Sequence, residues 1–209
     1  MPVILCYGDS NTHGSMPMTC PGIGNRHGSG DRWPDAMAAD LGDAYQVISE
    51  GLPGRTTVHD DMVEGGMRNG ATVLPAVLHS HKPLDLVVIM LGTNDLKSRF
   101  SVTAYEISRS VERLVVEVQQ SGTAPRVMVV APAPVQECGT LVDVFAGAVA
   151  RQQGLAAHLQ AMAERTGCSF VDAGQTVTVS PVDGVHWDAE AHHAFGAVMA
   201  GAVRQALSA

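Results

Sequence analysis

The run Leu84-Asp85-Leu86-Val87-Val88-Ile89-Met90-Leu91 restricts the fold of this chain more than any other stretch. Its almost unbroken aliphatic and β-branched content suits a parallel strand whose sheet is covered by helices on both faces. Shorter runs of the same kind lie at 3–7, 45–48, 126–131 and 169–172. Between them, apolar residues recur at helical spacing. Helices are expected from Asp31 to about Leu41, over 72–80, over 103–120 with Gly122 as the stop, and from Asp188 to about Leu207. Residues 141–166 read as helical in two pieces around Gly147 and Gly154. Strands and helices that alternate with short connections predict an α/β fold, a five-stranded parallel sheet between two helical layers. At 209 residues, one domain spanning 1–209 is expected.

Charge and composition exclude several classes of function. The net charge is −8 and no Lys/Arg cluster interrupts it, which argues against a nucleic-acid partner. No apolar run approaches the ~18 residues that span a bilayer, and the amino terminus lacks the pattern of a secretory signal. A cytoplasmic protein with no membrane partner is expected. Cys6, Cys20, Cys138 and Cys168 show neither CxxC nor zinc-ligand spacing. Cys6 and Cys168 read as buried small hydrophobes within strands. Residues 15–31 form a long loop rich in Gly, Pro, Met and Ser, of the kind that is often functional. Residues 58–69, with Asp60, Asp61 and Glu64, read as a solvated loop.

Three predicted strands end in polar turns: Gly8-Asp9-Ser10, Pro53-Gly54-Arg55 and Gly92-Thr93-Asn94. The carboxyl ends of parallel strands share one edge, where such sheets bind ligands. Ser10 is there a candidate nucleophile or a helix cap. Asp183-Gly184-Val185-His186 precedes the last helix. Its spacing allows a carboxylate to hold one imidazole nitrogen while the other accepts the serine proton; the same residues could be a plain turn. Donors for a developing oxyanion are the N–H groups of Ser10 and Gly54 and the amide of Asn94. Asp9, Arg55 and Asp95 flank these positions. An Asp9–Arg55 pair could join two loops, with Asp95 in a similar role, or both acids could cap helices. His192 and His193 invite a metal site with His186, but no first shell is recognisable and no metal is expected. His13, Met16, Met18 and Ile23 are candidate pocket lining.

In this order the blocks Gly8-Asp9-Ser10, Gly54, Gly92-Thr93-Asn94-Asp95 and Asp183-Gly184-Val185-His186 resemble those of the SGNH hydrolases, the GDSL-type lipases and esterases. Glu50-Gly51-Leu52, Arg55-Thr56-Thr57 and the stretch 84–95 are similar to the bacterial arylesterase and acyltransferase branch. The resemblance implies a flavodoxin-like three-layer fold, with Ser10 as nucleophile, His186 as base and Asp183 as its partner. It further implies an oxyanion hole of Ser10, Gly54 and Asn94. The implied reaction is hydrolysis of short-chain aryl or alkyl esters through an acyl-enzyme, without cofactor; its partner is a small ester. Carbohydrate O-deacetylation and acyl transfer are the family's alternatives. A nucleotide-binding flavodoxin-like module is the reading from another class, opposed by the lack of any G-x-G-x-x-G or P-loop.

The chain also departs from that branch. Asn11 stands where the family often has Leu, and His13 and Ser15 stand where the branch carries tryptophans. The loop over 132–141 is shorter. In the branch these segments help to form an oligomer with a narrow apolar channel. Without them, a more open, wetter site favours water as the acyl acceptor, and a homo-oligomer stays open.

Overall fold

The computed structural model describes residues 1–208. Five strands, β1 (Val3–Gly8), β2 (Gln46–Gly51), β3 (Leu86–Met90), β4 (Val127–Ala131) and β5 (Ser169–Asp172), form one sheet in the order β2-β1-β3-β4-β5. Every neighbouring pair is parallel. The order reverses between β1 and β3, which opens a crevice beyond their carboxyl ends.

Alternation along the strands assigns each side chain to a layer. Leu5, Tyr7, Val87, Ile89, Val127 and Val129 face one side. There they meet α3 (Gly70–His81), α4 (Ala104–Ser121) and α6 (Leu155–Thr166) through residues such as Leu78, Ile107, Leu114 and Leu159. Ile4, Cys6, Leu86, Val88, Met90, Met128 and Val130 face the other side. They bury Trp33 and Met37 of α2 (Trp33–Leu41) and Phe195, Met199 and Val203 of α7 (Ala189–Ser208). β3 is buried along its whole length, as its composition requires. The remaining helices are single turns, α1 (Ser10–His13) and α5 (Ala148–Arg151).

Several boundaries differ from those expected. Helix α2 starts at Trp33 after Arg32, with Pro34 in its first turn; Asp31 lies outside it and bonds His193 Nε2 at 3.0 Å. Helix α3 starts at Gly70 because the Asn69 side chain accepts from Ala71 N–H and Thr72 N–H. The stretch 141–166 is interrupted more deeply than two pieces. Gly147 and Gly154 are left-handed, so only α5 and α6 are α-helical within it. Cys6 is fully buried, whereas Cys168 is half-buried just before β5. Among the described residues no helix is long and apolar enough to cross a membrane.

Candidate active site

β1 delivers Ser10 directly into α1. Asp9, not Ser10, caps that turn: its Oδ1 accepts Asn11 N–H at 3.0 Å. The capping reading of Ser10 therefore fails, because the acceptor role has gone to its neighbour. Ser10 is the first helical residue, and among the described residues its hydroxyl carries no hydrogen bond. The turn sits tightly on the strand ends. A Cβ on Gly8 would lie 2.0 Å from Thr12 Oγ1, so only glycine lets α1 fold back over β1.

Asp183 and His186 meet as their spacing allows. His186 Nδ1 lies 2.6 Å from Asp183 Oδ2. Asp183 Oδ1 accepts the N–H groups of Val185 and His186, each at 2.9 Å, which winds the chain into the turn that brings the ring back. Gly184 completes it at φ +77, where a Cβ would lie 2.1 Å from Gln136 O. Oδ2 also accepts Met18 N–H at 2.7 Å, a bond from the first long loop. Burial pushes the Asp183 carboxyl up, but the His186 hydrogen bond and charge and the backbone donors overcome it, leaving a pKa of about 2. The carboxylate is thus ionised and fixes which imidazole nitrogen is free. Asn11 Nδ2 donates to Val185 O at 3.2 Å, tying α1 to the loop that carries His186.

The three candidate oxyanion donors share one cavity. Ser10, Gly54 and Asn94 line it together with His186. The N–H groups of Ser10 and Gly54 have no acceptor among the described residues. Asn94 Nδ2 donates one hydrogen to Arg55 O at 3.1 Å; its contact with Asp9 Oδ2 is longer, 3.4 Å. The first bond aims the amide, and the longer one to Asp9 is the contact that an incoming oxygen would have to displace.

Asp9 and Arg55 do not pair. The Arg55 guanidinium lies 4.0 Å over the Tyr7 ring, and its Nη1 donates to Gly8 O at 2.9 Å and to Glu50 O. It ties the ends of β1 and β2 through backbone oxygens instead. Asp95 does join two loops: it accepts Thr57 N–H at 3.0 Å and the Thr57 hydroxyl at 2.5 Å. Both carboxyls are fully enclosed, and burial pushes each up to about 6 against the bonds that favour the anion.

Comparison with known proteins agrees with this fold. Residues 6–194 match the GDSL-like lipase/acylhydrolase family. The chain belongs to that family. An M. smegmatis aryl esterase is 37% identical at TM-score 0.94, covering 99% of this chain and 100% of its own. Est24, a carbohydrate acetylesterase from Sinorhizobium meliloti, is 38% identical at TM-score 0.93, covering 98% and 99%. A lipase/acylhydrolase from Enterococcus faecalis shares the fold at 18% identity and TM-score 0.69, covering 98% and 96%. The comparison with curated proteins gave no match.

In this GDSL hydrolase the cavity measures about 580 Å³, and its lining is of two kinds. Leu141, Val144 and Phe145 are apolar. Glu64, Arg68, Lys97 and Arg99 are charged. None of these was a candidate site residue in the sequence, and the segment read as solvated, 58–69, supplies half of the charged lining through Glu64 and Arg68. Asp61 is 2% exposed and anchors it, accepting Lys97 Nζ at 3.2 Å and Arg99 Nη1 at 2.8 Å. Lys97 Nζ also reaches Glu64 Oε1 at 2.6 Å. The signal was present as three acids in 60–64 and two cations at 97 and 99, but only the fold pairs them. Of the four apolar or histidine candidates in the first loop, only Met18 lines the cavity, beside Pro21 and Gly22. His192 is a core residue whose Nδ1 accepts Trp33 N–H at 3.3 Å, and burial lowers its pKa to about 3. Among the described residues no group of three His, Cys, Asp or Glu is placed to hold a metal.

Proposed function

We propose that this acylhydrolase is a serine esterase for short-chain aryl and alkyl carboxylic esters, working through an acyl-enzyme. The observation that carries the reading is the ionised Asp183 held 2.6 Å from His186 Nδ1, beside a cavity that Ser10 lines. Ser10 Oγ attacks the ester carbonyl while His186 Nε2 takes its proton. The new negative charge meets the N–H groups of Ser10 and Gly54 and the Asn94 amide. Each donor of this kind can lower the barrier by about 3 kcal/mol. Collapse breaks the ester bond, and His186 returns the proton to the leaving alkoxide. Water then attacks the acyl-enzyme, giving its proton to His186, and the acid leaves as Ser10 is regenerated.

Leu141, Val144 and Phe145 give an acyl group apolar surface to pack against, and about 580 Å³ lies within the usual range of small-molecule sites. This supports an acyl ester as the substrate. Glu64 pairs with both Lys97 and Arg99 in the cavity lining, and a polar surface there supports water as acceptor. The test is intact-mass analysis after incubation with an organophosphonate ester, wild type beside Ser10→Ala. One adduct on the wild type and none on the variant is expected; equal labelling of both sinks the Ser10 assignment. A 4-nitrophenyl ester series from acetate to octanoate should show kcat/KM falling with chain length.

A further inference from the structure

The loop between β1 and α2 is not a free coil. Ser15 bridges to Arg26, Met16 N–H donates to Asn25 O at 2.9 Å, and Cys20 bridges to Ile23, so it folds on itself as a small hairpin. Among the described residues, its tip, 17–24, makes two hydrogen bonds to the rest of the protein, and both come from the backbone of Met18. Met18 N–H donates to Asp183 Oδ2 at 2.7 Å, and Met18 O accepts the Thr140 hydroxyl at 2.5 Å.

Thr140 closes this arrangement into a ring. Its own N–H donates to Val182 O at 3.0 Å, one residue from the triad carboxylate, and Gln136 N–H bonds Gly184 O at 2.8 Å just beyond it. The segment 136–140 therefore holds the chain around Asp183, while the Thr140 hydroxyl holds the hairpin that feeds Asp183 its third backbone donor. The Met18 side chain and Leu141, the neighbour of Thr140, both line the cavity.

We infer that Met18 and Thr140 are positioning residues, and that docking of the hairpin couples a filled cavity to the alignment of Asp183 with His186. The inference rests on the esterase reading above. A substrate packed against Met18 and Leu141 presses the hairpin onto its anchor. The anchored Met18 N–H then keeps Oδ2 aimed at Nδ1. With the cavity empty, only two hydrogen bonds hold the tip, few enough for local opening. The other titratable groups acting on His186 are Asp9 and His192, and neither contacts the hairpin tip.

Thr140→Val removes the hydroxyl and keeps the shape. It should cut kcat for 4-nitrophenyl acetate roughly ten- to hundredfold, with a smaller change in KM, because a displaced catalytic group costs rate. Without the Met18 donor Oδ2 turns away from Nδ1 and holds the imidazolium less strongly, so the acidic limb of the kcat/KM profile should move to lower pH. Thr140→Ser should restore both. A Thr140→Val enzyme with wild-type kcat and an unmoved limb overturns the inference. A second measurement uses the wild type alone: deuterium exchange of the peptide covering 16–24, before and after phosphonylation of Ser10. Slower exchange in the adduct is expected, and unchanged exchange overturns the coupling. If no adduct forms on Ser10, the esterase reading itself fails. If the adduct forms but neither the limb nor the exchange changes, only this inference fails.

Discussion

His186 Nδ1 lies 2.6 Å from Asp183 Oδ2, and both oxygens of that carboxylate also accept backbone N–H groups. Orientation and charge of the base are thus set by one buried side chain. Asp183→Asn places an amide N–H where an acceptor is required, or turns its oxygen away from the backbone donors. The favoured imidazole tautomer changes in either case. Turnover of 4-nitrophenyl acetate should fall by roughly three to four orders of magnitude. Far-ultraviolet circular dichroism should be unchanged, and a kcat within tenfold of wild type would remove Asp183 from the mechanism.

Asn94→Ala removes the only side-chain donor among the three aimed at the oxyanion. Its bond to Arg55 O is lost too, so a stability loss of about 1 kcal/mol accompanies the kinetic effect. Steady-state kinetics should show kcat lower by about a hundredfold or more with KM little changed, since the donor acts on charge that develops in the transition state. A rise confined to KM would assign Asn94 to ground-state binding.

Asp9 gives a prediction of opposite sign for stability and rate. Its folded pKa, about 6, lies above the ordinary carboxylate value near 4. The group's contribution is therefore complete below about pH 4 and is lost as pH rises through about 6. By pH 8 the buried anion costs about 3 kcal/mol. Asp9→Asn removes that cost and keeps an oxygen for the Asn11 cap. Thermal melts should show a gain at pH 8 clearly larger than at pH 5. Activity should fall several-fold, because the Asp9 charge acts on the His186 imidazolium. Equal gains at both pH values would contradict the buried-anion account.

Asp61 works the other way. Burial raises its carboxyl, but the Glu64 N–H, Arg99 and Lys97 outweigh it and hold it at about 2. Its contribution, about 2 kcal/mol, is present above pH 4 and lost as pH falls through about 2. Asp61→Asn also leaves Lys97, 3% exposed, with Glu64 as its one remaining carboxylate, so the loss at pH 7 should reach about 2 kcal/mol or more. Urea unfolding at pH 7 and pH 3 should show the gap to wild type narrowing at the lower value. A constant gap would place the effect in packing.

β1, β3 and β4 were legible because a strand buried on both faces has to be apolar throughout, and β3 meets that condition residue by residue; the half-exposed edge strands β2 and β5 were legible from shorter apolar runs. Boundaries set by single side chains were harder to read. Asn69 rather than Thr72 marks the start of α3, and Arg32 rather than Asp31 precedes α2. Asp31 has a cap-forming side chain, yet it is drawn to His193 on α7, a partner 162 residues away. Similarly, Arg55 had an obvious acid in Asp9, but the carboxyl ends of β1 and β2 offered it backbone oxygens and the face of Tyr7.

The sequence by itself determined the alternating parallel fold, the edge on which Ser10, Gly54 and Asn94 gather, and the local Asp183-to-His186 turn. Those features depend on periodicity or on spacing within a few residues, which a chain carries wherever it is placed. Only the tertiary structure decided that Asp61 is buried against Lys97 and Arg99, and that Met18 N–H reaches Asp183 from 165 residues away. An unpaired charge or backbone donor accepts any partner of the right chemistry. Which one it meets depends on how distant loops are brought together over the sheet, and no local pattern encodes that.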